Sequence, residues 1–403
     1  GRGAAGAATG AAPCDPAAMA DKELDLVLYG ATGFTGRLSA EYLMARTPDA
    51  PKFAIGGRTE ASIAALSQEL GAAAGKSAPR TIVADLKDEE ALRAMVQKAR
   101  VVLTFAGPYE KYGGENLIKA ALDSCTHYID ITGETPWKRE MLLKYEAEAK
   151  ARGLVVVQSA GLDSLPADLT AALAAKEISA DGHGPPSAVA VLWKKQNGWV
   201  SGGTVASGMY SALHHWPVGP YGLSPGAKNA PARAAQALFA EQKSKSMTAE
   251  VDIPVMHRTM HLLFPESAVS VSEDSGPTVA KHAAVFMADP RMITDPPPAP
   301  SSGSGPPRWM LKDGSFALEA RARRASDGRL ATVLLDGSGD PGYGACAKFV
   351  AELAVGLSQP GAAAGSGFLT PALAMGPEAL RQRLEAADGG RLMNFTTRVG
   401  PTL

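Results

Sequence analysis

Three glycines at three-residue intervals, Gly30, Gly33 and Gly36, stand between the apolar run Leu26-Val27-Leu28-Tyr29 and a segment whose Leu38, Leu43 and Met44, with Ala40 and Ala45, fall at helical spacing. A strand that enters a glycine-rich turn and leaves it as a helix is a device for holding phosphate. Glycine permits the tight turn and the close approach of backbone to an anion, and the helix behind it presents unpaired N–H groups and the positive end of its dipole. Thr32, Phe34 and Thr35 complete the turn. The Gly-x-x-Gly-x-x-Gly spacing departs from the commoner Gly-x-Gly-x-x-Gly, so the context decides: a strand before it, a helix behind it and a second strand over 52–56 form the βαβ unit that a dinucleotide requires. An ordinary strand-turn-helix corner is the bland alternative.

The end of that second strand bears on the choice of nucleotide. A site for NAD needs a carboxylate there for the ribose hydroxyls, whereas this chain has Gly56-Gly57-Arg58-Thr59 and no Asp or Glu from Lys52 to Thr59. Arg58 can fork onto a 2′-phosphate and stack on adenine, so NADP is the expected cofactor; a solvated surface arginine is the alternative. A third strand over 80–84 ends in Asp85, suited either to the adenine edge or to capping the helix expected over 88–98.

Ligands of a doubly wound sheet sit at the carboxyl ends of the strands. The residues expected to face the cofactor are therefore Ala106, Gly107, Pro108 and Tyr109, then Thr132-Gly133-Glu134, then Ser159, Gly161 and Asp163. Tyr109, Tyr112, Glu134 and Asp163 are the ionisable side chains nearest a nicotinamide, and Tyr109, Glu134 and Asp163 are the candidate proton donors or acceptors for hydride transfer. Each has a structural alternative: Tyr109 as packing, Glu134 as a loop fastener, Asp163 as a helix cap.

Short apolar strands (from 99 to a stop at Gly107-Pro108, 127–131, 154–158) alternate with helices (115–124, 137–151) as far as residue 168, the pattern of an α/β, Rossmann-type doubly wound parallel sheet. The alternation then stops. Strand-like runs at 188–193, 316–323 and 329–335, a helix over 231–242 and a Pro/Ser/Gly loop over 295–307 suggest an α+β substrate domain. A helix follows over 344–357, and a helix start at Thr370-Pro371. The expected division is a disordered leader (1–22), an NADP-binding Rossmann domain (23–168), an inserted substrate domain (169–354) and a C-terminal segment (355–403), which the family resemblance given below implies returns to the first domain and the Thr370-Pro371 helix start permits. That path would carry Ser201-Gly202-Gly203-Thr204 over the nicotinamide end of the first domain.

The 403 residues carry a net charge of −1, with 45% hydrophobic and 20% charged residues and no basic stripe, so nucleic acid is not an expected partner. Cys14, Cys125 and Cys346 are isolated and odd in number, which suits a reducing compartment and gives no metal-ligand spacing. The adjacent His214 and His215 cannot share one helix face, so no metal is expected. No apolar run reaches the roughly 18 residues of a membrane span. The Ala/Gly-rich start lacks a secretory core and makes a poor transit peptide, and Met19-Ala20-Asp21-Lys22 reads like a natural beginning. These features suit an intracellular, cytoplasmic protein, and the family resemblance given below implies association with a membrane or lipid droplet.

Several motifs recur together in known proteins: Gly30-Ala31-Thr32-Gly33-Phe34-Thr35-Gly36, Gly56-Gly57-Arg58, Ala106-Gly107-Pro108-Tyr109, Tyr128-Ile129-Asp130-Ile131-Thr132-Gly133-Glu134, Gly161-Leu162-Asp163-Ser164-Leu165-Pro166, Ser201-Gly202-Gly203-Thr204, Gly339-Asp340-Pro341-Gly342-Tyr343-Gly344 and Leu369-Thr370-Pro371-Ala372. In order, from residue 24 to about 400, they resemble the saccharopine dehydrogenase-like oxidoreductases, which include trans-acting enoyl reductases. The resemblance implies an NADP-dependent reductase of a hydrophobic or lipid-linked small molecule. A lipid surface and a second copy of the chain are compatible partners. Saccharopine itself is a poor match, because true saccharopine reductases carry a Gly-x-Gly-type turn. Two alternatives stand beside this reading. One is a non-catalytic NADP(H)-binding scaffold or sensor at a lipid surface. The other is an atypical short-chain reductase, disfavoured because Tyr109, Tyr112, Tyr128 and Tyr145 all lack a lysine four residues on.

Overall fold

The computed structural model describes residues 12–46, 50–214, 217–301 and 303–400. Seven strands form a wholly parallel sheet: β1 (Leu24–Tyr29), β2 (Phe53–Gly57), β3 (Arg80–Val83), β4 (Ala99–Thr104), β5 (His127–Asp130), β6 (Val155–Val157) and β12 (Gly367–Leu369). Their order is β12-β6-β5-β4-β1-β2-β3. β1, β4, β5 and β6 are almost wholly buried and, apart from β5 with its His127 and Asp130, largely apolar, as strands covered by helices on both faces must be. The chain reverses its direction of travel between β1 and β4, which opens the crevice where such sheets take their ligands.

The second sheet is mixed, with the order β13-β11-β10-β7-β9-β8. It comprises β7 (Pro186–Asn197), β8 (Ser244–Lys245), β9 (Ser270–Ser275), β10 (Ser315–Arg324), β11 (Leu330–Ser338) and β13 (Met393–Gly400). β7 and β9 run parallel, and the other pairs are antiparallel. One core cluster runs from Leu26, Leu28, Val101 and Val155 of the first sheet to Val191, Leu318 and Val333 of the second. Helix Leu165–Ser179 lies within that cluster, with Ala167, Ala171, Ala172, Ala174 and Ala175 fully buried.

Several expectations need correction. β12 does return to the first sheet, but β13 pairs with β11, so residues 355–403 serve both sheets rather than the first alone. The helix expected over 231–242 shrinks to Arg233–Gln236, because Phe239 and Leu238 turn into a small core against β7 instead of continuing a helical stripe. Thr370-Pro371 opens only a 3₁₀ turn, Pro371–Leu373. The segment 12–22 is built into the fold rather than a disordered leader. Helix Pro16–Ala20 starts on the Asp15 carboxylate, and the Lys22 ammonium binds the carbonyls of Ala99, Ser124 and Cys125 and the Thr126 hydroxyl. Cys14 is disulfide-bonded to Cys125, so the reading of three isolated cysteines as a sign of a reducing compartment does not hold; a sequence separation of 111 residues hid the pair. Cys346 remains free and buried. Residues 1–11 of the expected leader, and His215, lie outside the described residues.

Candidate active site

β1 stops at Gly30, whose φ of +79° only glycine tolerates comfortably. A Cβ there would lie 3.0 Å from the Ala106 nitrogen, so the turn packs directly on the end of β4. A Cβ on Gly36 would come within 2.6 Å of the Gly30 oxygen and 2.8 Å of the Ala31 Cα, which seats helix Phe34–Ala45 on its own turn. Gly33 is different: a Cβ there would meet only the Gly30 oxygen, at 3.3 Å, and otherwise open space. Gly33 is also the N-cap and offers no side chain to the first-turn N–H groups. A bare helix start opening onto a cavity fits a pyrophosphate. Thr32 is exposed beside it, and Gly33, Phe34, Thr35 and Gly36 line the cavity.

At the far side of the turn, Arg58 is exposed immediately after β2 and makes no hydrogen bond to a described carboxylate. Its charge and that of Asp85 act in opposite senses on the Tyr29 phenol, which burial pushes up to about 12 and which donates to the Ala84 carbonyl. Arg58 and Asp85 stand just after β2 and β3, outside the residues that line the cavity. Asp85 does not cap the following helix. It accepts from the Lys87 N–H, and Asp88 is the cap of helix Glu89–Val96.

The cavity has a volume of about 1190 Å³ and runs from the glycine turn past Phe105, Gly107, Ile131, Gly133 and Asp163 to the second sheet. Helix Gly202–His214 covers one side, with Ser201, Gly203, Thr204 and Ser207 lining it and Ser207 close against Gly107. Helix Ala249–Leu263 and β9 form the far wall through Val251, Ile253, Pro254, His257, Val271 and Glu273.

Tyr109 borders this space, but its hydroxyl is committed elsewhere. It donates to the Thr104 carbonyl at 3.0 Å and accepts from the Ile131 N–H at 3.3 Å, between the ends of β4 and β5. Its ring stacks on Trp137, and burial first, then Asp130, raises its pKa well above the phenol range. Glu134 is 1% exposed, and its two oxygens accept from the N–H groups of Tyr109 (2.7 Å) and Glu110 (3.0 Å), which fastens helix Tyr109–Tyr112. These two residues hold the loop after β4. Ser159 is fully buried with its hydroxyl on the Thr132 carbonyl and the Lys138 ammonium, and Gly161 packs on Ile131 and Cys346; neither lines the cavity. Pro108 is buried and Ala106 half-buried beside Gly107.

Asp163 does open onto the cavity. Burial, then the Glu273 carboxyl, pushes its pKa up to about 6 against the opposing pull of Lys138. The sequence reading missed the groups around it. Lys138 is 2% exposed, donates to the Ser159 hydroxyl at 2.7 Å and is pushed down to about 8 by burial. Asp252 is fully buried, and burial followed by Glu273 and Asp163 drives its pKa well up. Glu273 is 2% exposed, with one oxygen accepting from Trp193 Nε1 at 3.0 Å and the Thr248 hydroxyl at 2.6 Å. His257 lies against the Tyr221 ring at 4.2 Å and is pushed down to about 4 by burial, so it is a neutral lining group. No local motif marked these residues. No group of His, Cys, Asp or Glu among the described residues is arranged to hold a metal ion.

Residues 26–157 match the family model of the saccharopine dehydrogenase NADP-binding domain. A Mycobacterium tuberculosis protein named as a candidate trans-acting enoyl reductase is 30% identical over 410 residues, 91% of this chain and 96% of its own. The chain belongs to the saccharopine dehydrogenase-like family of NADP-dependent oxidoreductases. A lipid droplet localized protein of Caenorhabditis elegans is 38% identical over 171 residues, 42% of this chain and 40% of its own. The apo saccharopine dehydrogenase (L-Glu forming) of Saccharomyces cerevisiae superposes with a TM-score of 0.51 at 16% identity, covering 93% of this chain and all of that one, so the two-sheet architecture of this oxidoreductase is a shared fold. No helix among the described residues is long and apolar enough to cross a membrane.

Proposed function

We propose that this oxidoreductase uses NADPH to reduce a polarised double bond, C=C in the first instance, in a hydrophobic or lipid-linked small molecule. The observation that carries this reading is the cavity. Its volume exceeds that of most small-ligand sites. One end is a bare phosphate-binding helix start, the middle holds the half-buried Asp163 carboxyl, and the far wall is apolar at Val251, Ile253, Pro254 and Val271. The enoyl reductase name of the mycobacterial relative supports the choice of C=C over C=O or C=N.

The glycine turn and the helix start at Phe34 would hold the pyrophosphate, and Arg58 the 2′-phosphate. When bound, NADPH supplies the hydride. The chain must then supply one proton, and Asp163 suits this role: it opens onto the cavity with its pKa pushed up to about 6, whereas Glu134, which also lines the cavity, and the Tyr109 hydroxyl are hydrogen-bonded to backbone groups. Tyr109 and Glu134 act through position, keeping Gly107 and the loop after β4 in place.

A lipid surface is the source of substrate that suits the exterior. Met209 (62% exposed), Leu213 (77%) and Met247 (83%) are exposed, and the first two lie on the helix that covers the cavity. The name of the nematode relative agrees with this.

The test is NADPH oxidation, followed by absorbance, with a long-chain α,β-unsaturated acyl thioester. Turnover that Asp163→Asn abolishes while NADPH still binds is expected. Tight NADPH binding with no turnover on any unsaturated, carbonyl or imine substrate would favour the scaffold reading.

A further inference from the structure

The apolar far wall of the cavity contains a polar side chain that the fold does not employ. His257 is 5% exposed, lines the cavity and packs its ring against that of Tyr221, with centroids 4.2 Å apart. Its ring makes no hydrogen bond among the described residues, and neither nitrogen is sealed off from the cavity. Tyr221 does not serve it, because the Tyr221 hydroxyl donates to the Ala230 carbonyl at 2.8 Å and accepts from the Ala230 N–H at 2.6 Å. Ile253 and Pro254, one turn back on the same helix, have nothing polar to offer. A buried histidine with a structural role is paired, as His127 is: its Nδ1 accepts from the Val155 N–H at 3.0 Å. We propose that His257 is a second recognition point for substrate, its imidazole hydrogen-bonding an uncharged oxygen, a carbonyl or a hydroxyl, carried on the chain beyond the bond that is reduced.

The helix Ala249–Leu263 sets the distance between the two points. Glu250, Ile253, Pro254 and His257 recur at helical spacing and all line the cavity, so this face of the helix is the one substrate would meet. Near the helix start, Val251 stands beside Asp163: a Cβ on Gly133 would lie 3.8 Å from Val251 Cγ2 and 3.9 Å from Asp163 Oδ2. His257 follows Val251 by six residues, about 9 Å along the helix axis. Asp163 and His257 therefore engage different parts of one ligand, the first its reacting end and the second an oxygen several bonds away.

The chemistry of the ring selects the kind of oxygen. Imidazole ordinarily titrates near 6.5, and burial lowers that of His257 to about 4, so at neutral pH the ring is uncharged, with one N–H donor and one bare nitrogen. Such a group suits a ketone, an ester or a hydroxyl. A carboxylate or phosphate does not fit, because a neutral ring cannot balance its charge in a buried place and Asp163 and Glu273 line the same space. A plain hydrocarbon chain would strip water from the imidazole and leave it unpaired, so the site disfavours one. The inference rests on the reading of the cavity as the seat of a reducible lipid-like chain, and narrows that chain to an oxygenated one.

Saturated acyl thioesters, which cannot be reduced, separate recognition from reduction. Titration calorimetry on the NADPH-loaded chain compares a plain thioester with others of equal length that bear one keto or one hydroxyl group at successive carbons. An oxygen at the matching carbon should tighten binding roughly tenfold, and a preference for either oxygen supports the proposal. His257→Phe keeps an aromatic ring against Tyr221 and should level the series, while His257→Gln, whose amide restores a donor and an acceptor, should recover part of the preference. In wild type labelled with nitrogen-15 histidine, the ring signals missing from either variant should shift with the matching chain and stay in place with the plain one. A flat series in wild type, a preference that survives His257→Phe, or unmoved ring signals would overturn the subsite, whether or not unsaturated thioesters are reduced. A preference that follows His257 without NADPH oxidation on any unsaturated chain would overturn the reductase reading alone. Failure of every chain to bind would remove the lipid-like ligand and the subsite together.

Discussion

Asp163 sets acidity against stability. Its folded-state pKa of about 6 lies above the unfolded value near 3.9, so the unfolded chain ionises first as pH rises. Below about pH 4 the group has no effect on folding. Stability is lost across the window from about 4 to about 6 and does not return above it, a cost of at most about 3 kcal/mol. Asp163→Asn should therefore raise the melting temperature at neutral pH, change it little near pH 4, and abolish reduction; calorimetry at the two pH values with a turnover assay checks all three. Arg58 carries a separate prediction. Charge-assisted contacts to phosphate are worth about 1.5–3 kcal/mol, so Arg58→Ala should erase roughly one to two decades of preference for NADPH over NADH by titration calorimetry. Equal affinities of the wild type for the two cofactors would refute the role of Arg58. Arg58 and Asp163 were singled out because each follows a strand of the first sheet, Arg58 at once and Asp163 six residues on, where neighbours in sequence announce their place. Asp252, Glu273 and Lys138 were not, since three elements distant in sequence bring them together and nothing local separates a buried charge from a surface one.

At the level of elements, the glycine turn and the loop after β4 were legible to different degrees. A turn is a local object: Gly30, Gly33 and Gly36 imply a strand before and a helix behind, and the structure has both. Gly33→Val should abolish NADPH binding by filling the open side of the turn while leaving the fold intact, since its Cβ meets little protein; retained affinity would make the turn merely structural. Glu134, by contrast, looked like a catalytic acid because it follows a strand. Its partners are two N–H groups 24 and 25 residues earlier, a contact that no local pattern encodes. Glu134→Ala leaves both donors unpaired, so it should cost about 2–4 kcal/mol and lower the melting temperature. A residue acting only as an acid would leave melting unchanged and lower turnover alone. Helices hidden from the sequence reading, such as Ala249–Leu263 with Pro254 inside it, lack a clean apolar period because both faces are covered.

Across the whole molecule, the C-terminal segment joins what the sequence divided. β12 extends the first sheet beside β6, and β13 closes the edge of the second beside β11. Removal of residues 393–403 would bare eight residues of β11, Leu330 to Gly337, whose unpaired edge is a template for association. The shortened chain should aggregate on gel filtration while NADPH fluorescence, which depends on the first sheet, persists in the soluble fraction. Helix Leu165–Ser179 ties the two sheets more closely still. It begins directly after Asp163, and its alanines lie fully buried in the core common to both sheets. An alanine helix is thin, and nothing in it can be trimmed. Its girth acts as a shim between the two sheets, so a bulkier side chain at Ala171 should wedge them apart and lower the melting temperature.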